Sequence, residues 1–442
     1  MNRFLRTTAA CATLAFLASC GGDGDDDHYD DDNPTFSCTV ANEKTWLRGY
    51  MNSQYFWAGR SPSPSPEGYA DPAVYLDALR FQGDDDEPRD RFSYIESRAA
   101  FDEFYVDGRT LGYGVAVNGT EGTLPLKVRY VDPQSPAATA GVQRGDTVVS
   151  VNDTPAAALV QAGDFSVLSP GRAGDAMKLV LEANGVQRTV TLAAARYDLV
   201  PVTAAAVLPM GNGGKAGYLS LKDFITQAEG PLATAIADFR RQGATELILD
   251  LRYNGGGRVS TATHLGSLVT GATYAGRTFT DLVYNAANQQ RNARYRLASQ
   301  PGAAFPRVVV LTGPRTCSAA EMVVNGLKPY ADVVTIGSPS CGKPVGFSPV
   351  DQCDNVYSIV NFESLNANGQ GRYYQGLPVT CAVRDDFAKN LGDPSEALTS
   401  AALSYLQTGA CPAQPMGTAA RALRALDRPV VEPGRQGGML AD

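Results

Sequence analysis

Arg307-Val308-Val309-Val310-Leu311, followed after a short linker by Thr316-Cys317-Ser318-Ala319-Ala320-Glu321, decides how this chain is built. An aliphatic run with no polar alternation is a strand buried on both faces. Ser-x-x-Glu ahead of an apolar repeat opens a helix, expected over 321–330. Strand, tight turn and helix in succession are the unit of an α/β layer. The unit recurs on both sides. Glu246-Leu247-Ile248-Leu249-Asp250-Leu251 runs into Arg252-Tyr253-Asn254-Gly255-Gly256-Gly257 and a helix over 259–269. Val333-Val334-Thr335-Ile336-Gly337 leads to Ser340-Cys341-Gly342-Lys343. Further strands are expected at 215–221, 356–362 and 373–383 and a helix at 230–242, so the α/β core spans 196–408.

The three turns carry the candidate chemistry. Ser318 stands at the mouth of a helix, and a serine reacts only when a base removes its proton. The histidines are His28, in an acidic run, and His264, inside the helix over 259–269 where a satisfied histidine is the ordinary case. A lysine can replace histidine if burial lowers its pKa from about 10.4 toward neutrality. Lys343 sits among Cys341, Gly342, Pro344, Val345, Gly346 and Phe347, with no adjacent acid to keep it charged. Oxyanion donors would come from the N–H of Ala319, aided by the helix dipole, and from Gly256 and Gly257, whose amides no side chain obstructs. Each turn also has a plain reading: a capping box, a strand-to-helix turn and a surface loop. Their combination favours a site, because active sites of such folds gather where parallel strands end.

Upstream, residues 37–108 read as mainly helical, with helices over 43–57 and 71–81 whose aromatic residues belong to a core, and Pro72 suits a first turn. The Ser-Pro repeat at 61–66 is extended, and Asp84-Asp85-Asp86-Glu87 reads as a solvated acidic loop. Residues 109–195 change character. Ser135-Pro136-Ala137-Ala138, Ala140-Gly141, Gly145-Asp146 and Val148-Val149-Ser150-Val151-Asn152 together resemble a PDZ domain, which binds a peptide as an added strand and holds its carboxylate in backbone amides. The resemblance makes Leu111, Gly112, Tyr113 and Gly114 the carboxylate loop.

The N-terminus reads as a targeting segment. Asn2-Arg3-Phe4-Leu5-Arg6 is basic, and residues 7–19 are small and apolar but too few to span a bilayer. Leu17-Ala18-Ser19-Cys20-Gly21 resembles a bacterial lipobox, so residues 1–19 are a signal peptide and Cys20 is the lipidation site; an ordinary secretory signal is the alternative. Gly21 after the cysteine points to the outer membrane, facing the periplasm, with the lipid as the one membrane attachment. Residues 20–36, rich in Asp and Gly, form a solvated tether, and 409–442 a loose C-terminal tail. The formal charge of −8 argues against a nucleic-acid partner. Cys38, Cys317, Cys341, Cys353, Cys381 and Cys411 form an even set in an exported chain, which implies disulfides of open pairing. Two histidines and no Cys-x-x-Cys leave no structural zinc site, and no metal or other cofactor is expected.

Over residues 40–400 the chain resembles the carboxyl-terminal processing (tail-specific) protease family. Asp250-Leu251-Arg252-Tyr253-Asn254-Gly255-Gly256-Gly257, Thr316 to Glu321 and Gly342-Lys343 match its motifs, and Asp90-Arg91-Phe92-Ser93-Tyr94-Ile95 and Tyr373-Tyr374-Gln375-Gly376-Leu377-Pro378-Val379 resemble two more. The resemblance implies an α+β multidomain protein: an N-terminal helical segment, a PDZ-like β-domain and an α/β core of the crotonase/Clp protease-like type. It implies a serine endopeptidase that cuts protein substrates near exposed C-termini without metal or nucleotide, with Ser318 as nucleophile and Lys343 as base. It further implies that the serine and lysine turns meet, which would let Cys317 pair with Cys341. Phe347 departs from the glutamine many members carry four residues after the lysine, and this departure motivates a second reading, an inactive peptide-binding protein on the same scaffold.

Overall fold

The computed structural model describes residues 37–118, 124–413 and 438–441. Residues 38–442 form one compact unit. Cys20 and the tether lie outside the described residues.

The centre is a six-stranded sheet in the order Val202–Pro209, Lys215–Leu221, Glu246–Asp250, Arg307–Thr312, Asp332–Gly337, Cys381–Ala382. The first pair is antiparallel and the rest are parallel. The continuous aliphatic runs follow from burial on both faces. Leu247, Leu249, Val308 and Val310 face one core with the helices Glu229–Arg241, Val259–Thr270 and Ala319–Leu327. Ile248, Val309 and Leu311 face another with the helix Ala397–Thr408. Leu232, Ile236 and Phe239 recur at helical spacing and form the inner face of the first helix. A second sheet, Ala293–Arg296, Thr278–Tyr284, Phe362–Asn366, Val345–Gly346, lies beside the helix Ala319–Leu327.

The PDZ-like unit has its own core, including Val128, Val148, Leu179 and Leu181, around the strands Thr147–Val151, Ala176–Ala183 and Val186–Ala193. Ser135 caps its short helix, accepting from Ala138 N–H at 3.2 Å, with Pro136 in the first turn. The N-terminal helices Val40–Ser53 and Pro72–Leu79 bury Leu47, Tyr75 and Leu79, with Trp57 from the turn after the first helix, against Val345, Tyr357 and Ile359 of the core. The disulfide Cys38–Cys353 ties the two regions, and Cys381–Cys411 anchors the end of the last described helix.

Four expectations need correction. Glu87 is buried, not solvated: it accepts from Trp57 Nε1, from Arg372 Nη2 at 2.6 Å and from Arg60 Nη1 at 3.2 Å. Residues 373–380 form no strand; only Cys381–Ala382 joins the sheet. Here Gly376 takes φ 84° and packs so closely on Ser340 O that a Cβ would lie 2.3 Å from it. The helix Ala397–Thr408 and the strands Val202–Pro209, Thr278–Tyr284 and Ala293–Arg296 were not anticipated. Finally, residues 438–441 are not loose; Met439–Leu440 is a buried strand.

Arg252, from the Asp-Leu-Arg motif, locks the last helix to the sheet. It donates to Glu396 through Nη1 at 2.7 Å and Nη2 at 2.9 Å and pairs with Asp250 at 2.9 Å, with all three buried. Glu396 also caps the helix by accepting from Thr399 N–H at 2.9 Å. These donors outweigh burial and hold its carboxyl at about 2. The folded value lies below the ordinary one, so this stabilisation is complete above about pH 4.5 and is lost as pH falls toward 2. Arg252→Ala is expected to cost roughly 3–5 kcal/mol in denaturant unfolding, since it strands two buried carboxylates; a loss below about 1 kcal/mol would contradict the lock.

Candidate active site

Three strand ends deliver the three turns to one place. The strand Arg307–Thr312 leads to Ser318, the N-cap of the helix Ala319–Leu327, held at φ 61° and ψ −118°. A side chain seldom occupies that region, so the backbone is strained where the hydroxyl is presented. Ser318 and Glu321 have the form of a capping box, but only half of it closes as a hydrogen bond. Ser318 N–H donates to Glu321 Oε2 at 2.8 Å, whereas the buried Ser318 Oγ finds no partner. The hydroxyl is therefore not spent on the helix.

Glu321 does more than cap. The same Oε2 accepts from Lys343 N–H at 2.9 Å, so a single oxygen bridges the backbone nitrogens of serine and lysine. Oε1 accepts from Gly342 N–H at 2.8 Å and Ser340 Oγ at 2.5 Å. Burial raises the Glu321 pKa and the four donors oppose that rise. The two turns are also joined covalently by Cys317–Cys341, with Cα atoms 5.2 Å apart, and by Cys341 N–H donating to Thr316 O at 3.0 Å.

Lys343 is buried, and loss of hydration pulls its amine down from 10.5 to about 7, with Asp90 and Glu321 partly opposing the shift. Its Nζ lies 4.7 Å from the Phe347 ring centre and 5.2 Å from that of Phe92. Phe347 thus contributes an aromatic face where a hydrogen-bonding amide was absent from the sequence. Asp90 is held by Tyr55 O–H at 2.6 Å, Ser93 O–H at 2.6 Å and Phe92 N–H at 2.8 Å. Arg91 Nη2 donates to Cys341 O at 3.1 Å, so the Asp90-Arg91-Phe92-Ser93 segment braces the lysine turn from the N-terminal region.

The glycine turn has two distinct roles. Gly257 N–H donates to Gly438 O at 2.5 Å, so it faces a carbonyl beside Ser318. Gly256 N–H does not; it donates to Asn254 Oδ1 at 2.8 Å, which removes it from the expected donors. What Gly256 supplies is space. A Cβ there would lie 2.4 Å from Gly438 O, 2.9 Å from Ser318 Cβ and 3.2 Å from Ala319 N, so those three atoms ring one point. Ala319 N–H heads the helix, where no intrahelical acceptor exists.

Of the expected carboxylate loop, Leu111 and Gly112 end a strand paired with Ala195–Asp198. Tyr113 O accepts from Ala137 N–H and Gly114 O from Asp132 N–H, both at 2.9 Å. All four line a cavity of about 390 Å3 that Phe104 and Arg196 also line. A cavity of about 660 Å3 lies instead between the PDZ-like unit and the sheet, bordered by Arg129, Tyr253, Arg315 and Asp385 but not by Ser318 or Lys343. The groove at Ser318 is occupied by residues 438–441. Sequence reasoning missed Asp90 and those four residues. The first was visible only within a motif, and the second lies in a glycine-rich stretch without periodicity.

A strained serine with an unspent hydroxyl and a buried lysine are thus joined through one carboxylate that bonds both backbone nitrogens, on a PDZ-bearing α/β scaffold. Residues 42–94 match the Peptidase S41 N-terminal domain, 127–165 a PDZ domain and 215–376 Peptidase family S41. The chain is thus similar to this family over its N-terminal region and its core, with a PDZ domain between them. It is 29% identical over 233 residues to a chloroplastic C-terminal processing peptidase of Tetradesmus obliquus, covering 50% of this chain and 48% of that one. It is 26% identical over 310 residues to the carboxy-terminal processing protease CtpA of Bacillus subtilis, covering 69% and 62%. The chain thus spans about half to three-fifths of the length of these curated relatives. A solved structure of a candidate S41 protease from Bacteroides fragilis superposes with a TM-score of 0.64 at 27% identity, over 82% of this chain and 97% of that one.

Two outcomes follow. Acylation of Ser318 by an activated ester, read by mass, should rise with pH through about 7 and then level, because only the neutral amine accepts a proton; a flat profile would remove Lys343 as base. The double variant Cys317→Ala, Cys341→Ala should lose about 3 kcal/mol of stability, measured by denaturant unfolding, and an unchanged midpoint would show that hydrogen bonds alone hold the turns.

Proposed function

We propose that the protein is a serine endopeptidase acting near the C-termini of protein substrates. The observation that carries this reading is the single Glu321 oxygen accepting from both Ser318 N–H and Lys343 N–H, which brings the turn of an unpartnered hydroxyl against the turn of a buried lysine. Ser318 Oγ attacks the scissile carbonyl and Lys343 takes its proton and returns it to the leaving amine. The N–H groups of Ala319 and Gly257 hold the oxyanion. The cavity at Leu111, Gly112, Tyr113 and Gly114 receives the substrate carboxylate. The reading extends to the core, whose parallel strands with catalytic turns at their ends support a crotonase/Clp protease-like type. We assign the division into an N-terminal region 37–108, a PDZ unit 109–195, a core 196–408 and a tail 409–442. Cys20 at the end of the lipobox-like run supports an exported, outer-membrane lipoprotein. None of the described helices is long and apolar enough to cross a membrane.

The buried Phe347 against Lys343 favours a second reading, a peptide-binding protein without turnover. Cleavage of an unfolded protein by the parent, Ser318→Ala and Lys343→Ala separates the two. The proposal expects activity in the parent, none above background in Ser318→Ala and a loss of about 10²–10⁴-fold in Lys343→Ala, all three with the same thermal midpoint. Amidation of the substrate C-terminus should slow the parent. Absence of cleavage across pH, with peptide still bound, would establish the second reading.

A further inference from the structure

Residues 438–441 lie where a substrate must lie. Met439–Leu440 runs parallel to Gly257–Arg258 on one side and bridges Phe347 on the other. Beside the strand pairing, three further backbone hydrogen bonds hold it. Gly257 N–H donates to Gly438 O at 2.5 Å, Phe347 N–H to Met439 O at 2.9 Å and Ala441 N–H to Phe347 O at 3.1 Å. This is strand addition at an enzyme centre, the mode by which proteins bind extended peptides.

The placement is specific in register. The Gly438 carbonyl is the one that meets the Gly257 amide, and its oxygen belongs to the ring of atoms that includes Ser318 Cβ and Ala319 N. Met439 is fully buried in the core cluster that contains Val259, Ala319, Ala320 and Phe362. Leu440 is buried in a pocket assembled from Tyr94, Tyr105, Tyr197, Leu199, Ile225 and Phe347. Gly438 itself has no room for a side chain, since a Cβ would lie 2.3 Å from Phe347 Cζ. The ring that departs from the family pattern therefore forms the wall on the acyl side of the groove.

We propose that residues 438–441 are a substrate bound in cis, that Ser318 cleaves the Gly438–Met439 bond, and that Phe347 restricts the acyl-side residue to glycine. This rests on Ser318 as the nucleophile. Ser318 Oγ bonds to the Gly438 carbonyl carbon and its proton passes to Lys343. The carbon–nitrogen bond to Met439 breaks, and the Met439 nitrogen takes that proton and leaves as an amine. Water then attacks the ester, restores the serine hydroxyl and leaves Gly438 as a carboxylate. The substrate class that follows is an extended segment with glycine before the cut and apolar Met and Leu residues after it.

Intact mass of the full chain tests the cleavage, with parent and Ser318→Ala incubated alike and an unrelated unfolded protein in the same tube. The parent should lose the residues from Met439 onward while Ser318→Ala keeps them. A parent that digests the added protein but retains its own Gly438–Met439 bond overturns this inference and leaves the endopeptidase reading standing. A parent that cuts neither overturns both. Quenched peptides containing Gly-Met-Leu-Ala or Val-Met-Leu-Ala test the wall. The parent should prefer glycine by roughly tenfold or more, and Phe347→Ala should bring the ratio toward one. Because the readout is a ratio, a general loss of activity in Phe347→Ala does not imitate it. Equal rates on both peptides with the parent would refute selection by Phe347.

Discussion

The Glu321 carboxylate is buried and solvated by four protein donors from two turns that are far apart in sequence. Such a group is costly to bury unless every lone pair is met. The structure meets them by bending both turns around it, and the result is the approach of Ser318 to Lys343. The helix mouth, the glycine at 342 and the Ser340 hydroxyl all serve that solvation. Gly342 has φ 82° and no space for a side chain, because a Cβ would lie 2.3 Å from Tyr374 O. Residues 373–377 therefore stay irregular and wrap the lysine turn, with Leu377 N–H donating to Ser340 Oγ at 2.6 Å.

The electrostatics of the site follow from the same arrangement. Glu321 stands close enough to oppose the fall of the Lys343 pKa, yet its oxygens are committed to amides and a hydroxyl. Burial therefore wins, and the amine is set near neutrality. The aromatic faces of Phe92 and Phe347 exclude water and still offer weak attraction to a cationic amine when it forms. An amine of this kind alternates between charged and neutral states with little penalty in either direction near neutral pH.

Local chemistry was readable where a side chain reports its own surroundings. The strands Lys215–Leu221, Glu246–Asp250, Arg307–Thr312 and Asp332–Gly337 announced themselves by uninterrupted aliphatic residues, and the sites at Ser318 and Lys343 by the turns that follow them. Non-local pairing was not readable. Glu87 looked solvated because its partners Trp57, Arg60 and Arg372 are distant in sequence. Gly256 looked like an oxyanion donor because nothing in the string shows Asn254 turning back to take its N–H. The strand Met439–Leu440 was hidden for a related reason: its length is two residues, and its stability comes entirely from the groove that receives it.

The Cys317–Cys341 bond sits one residue before Ser318 and two before Lys343. A disulfide there makes the competence of the centre depend on where the chain is. While thiols are kept reduced, the serine and lysine turns are joined by hydrogen bonds alone, and the full tie forms only in an oxidising environment. The bond thus couples maturation of the candidate site to the chemistry of its surroundings, so that the fold can be complete before the site is.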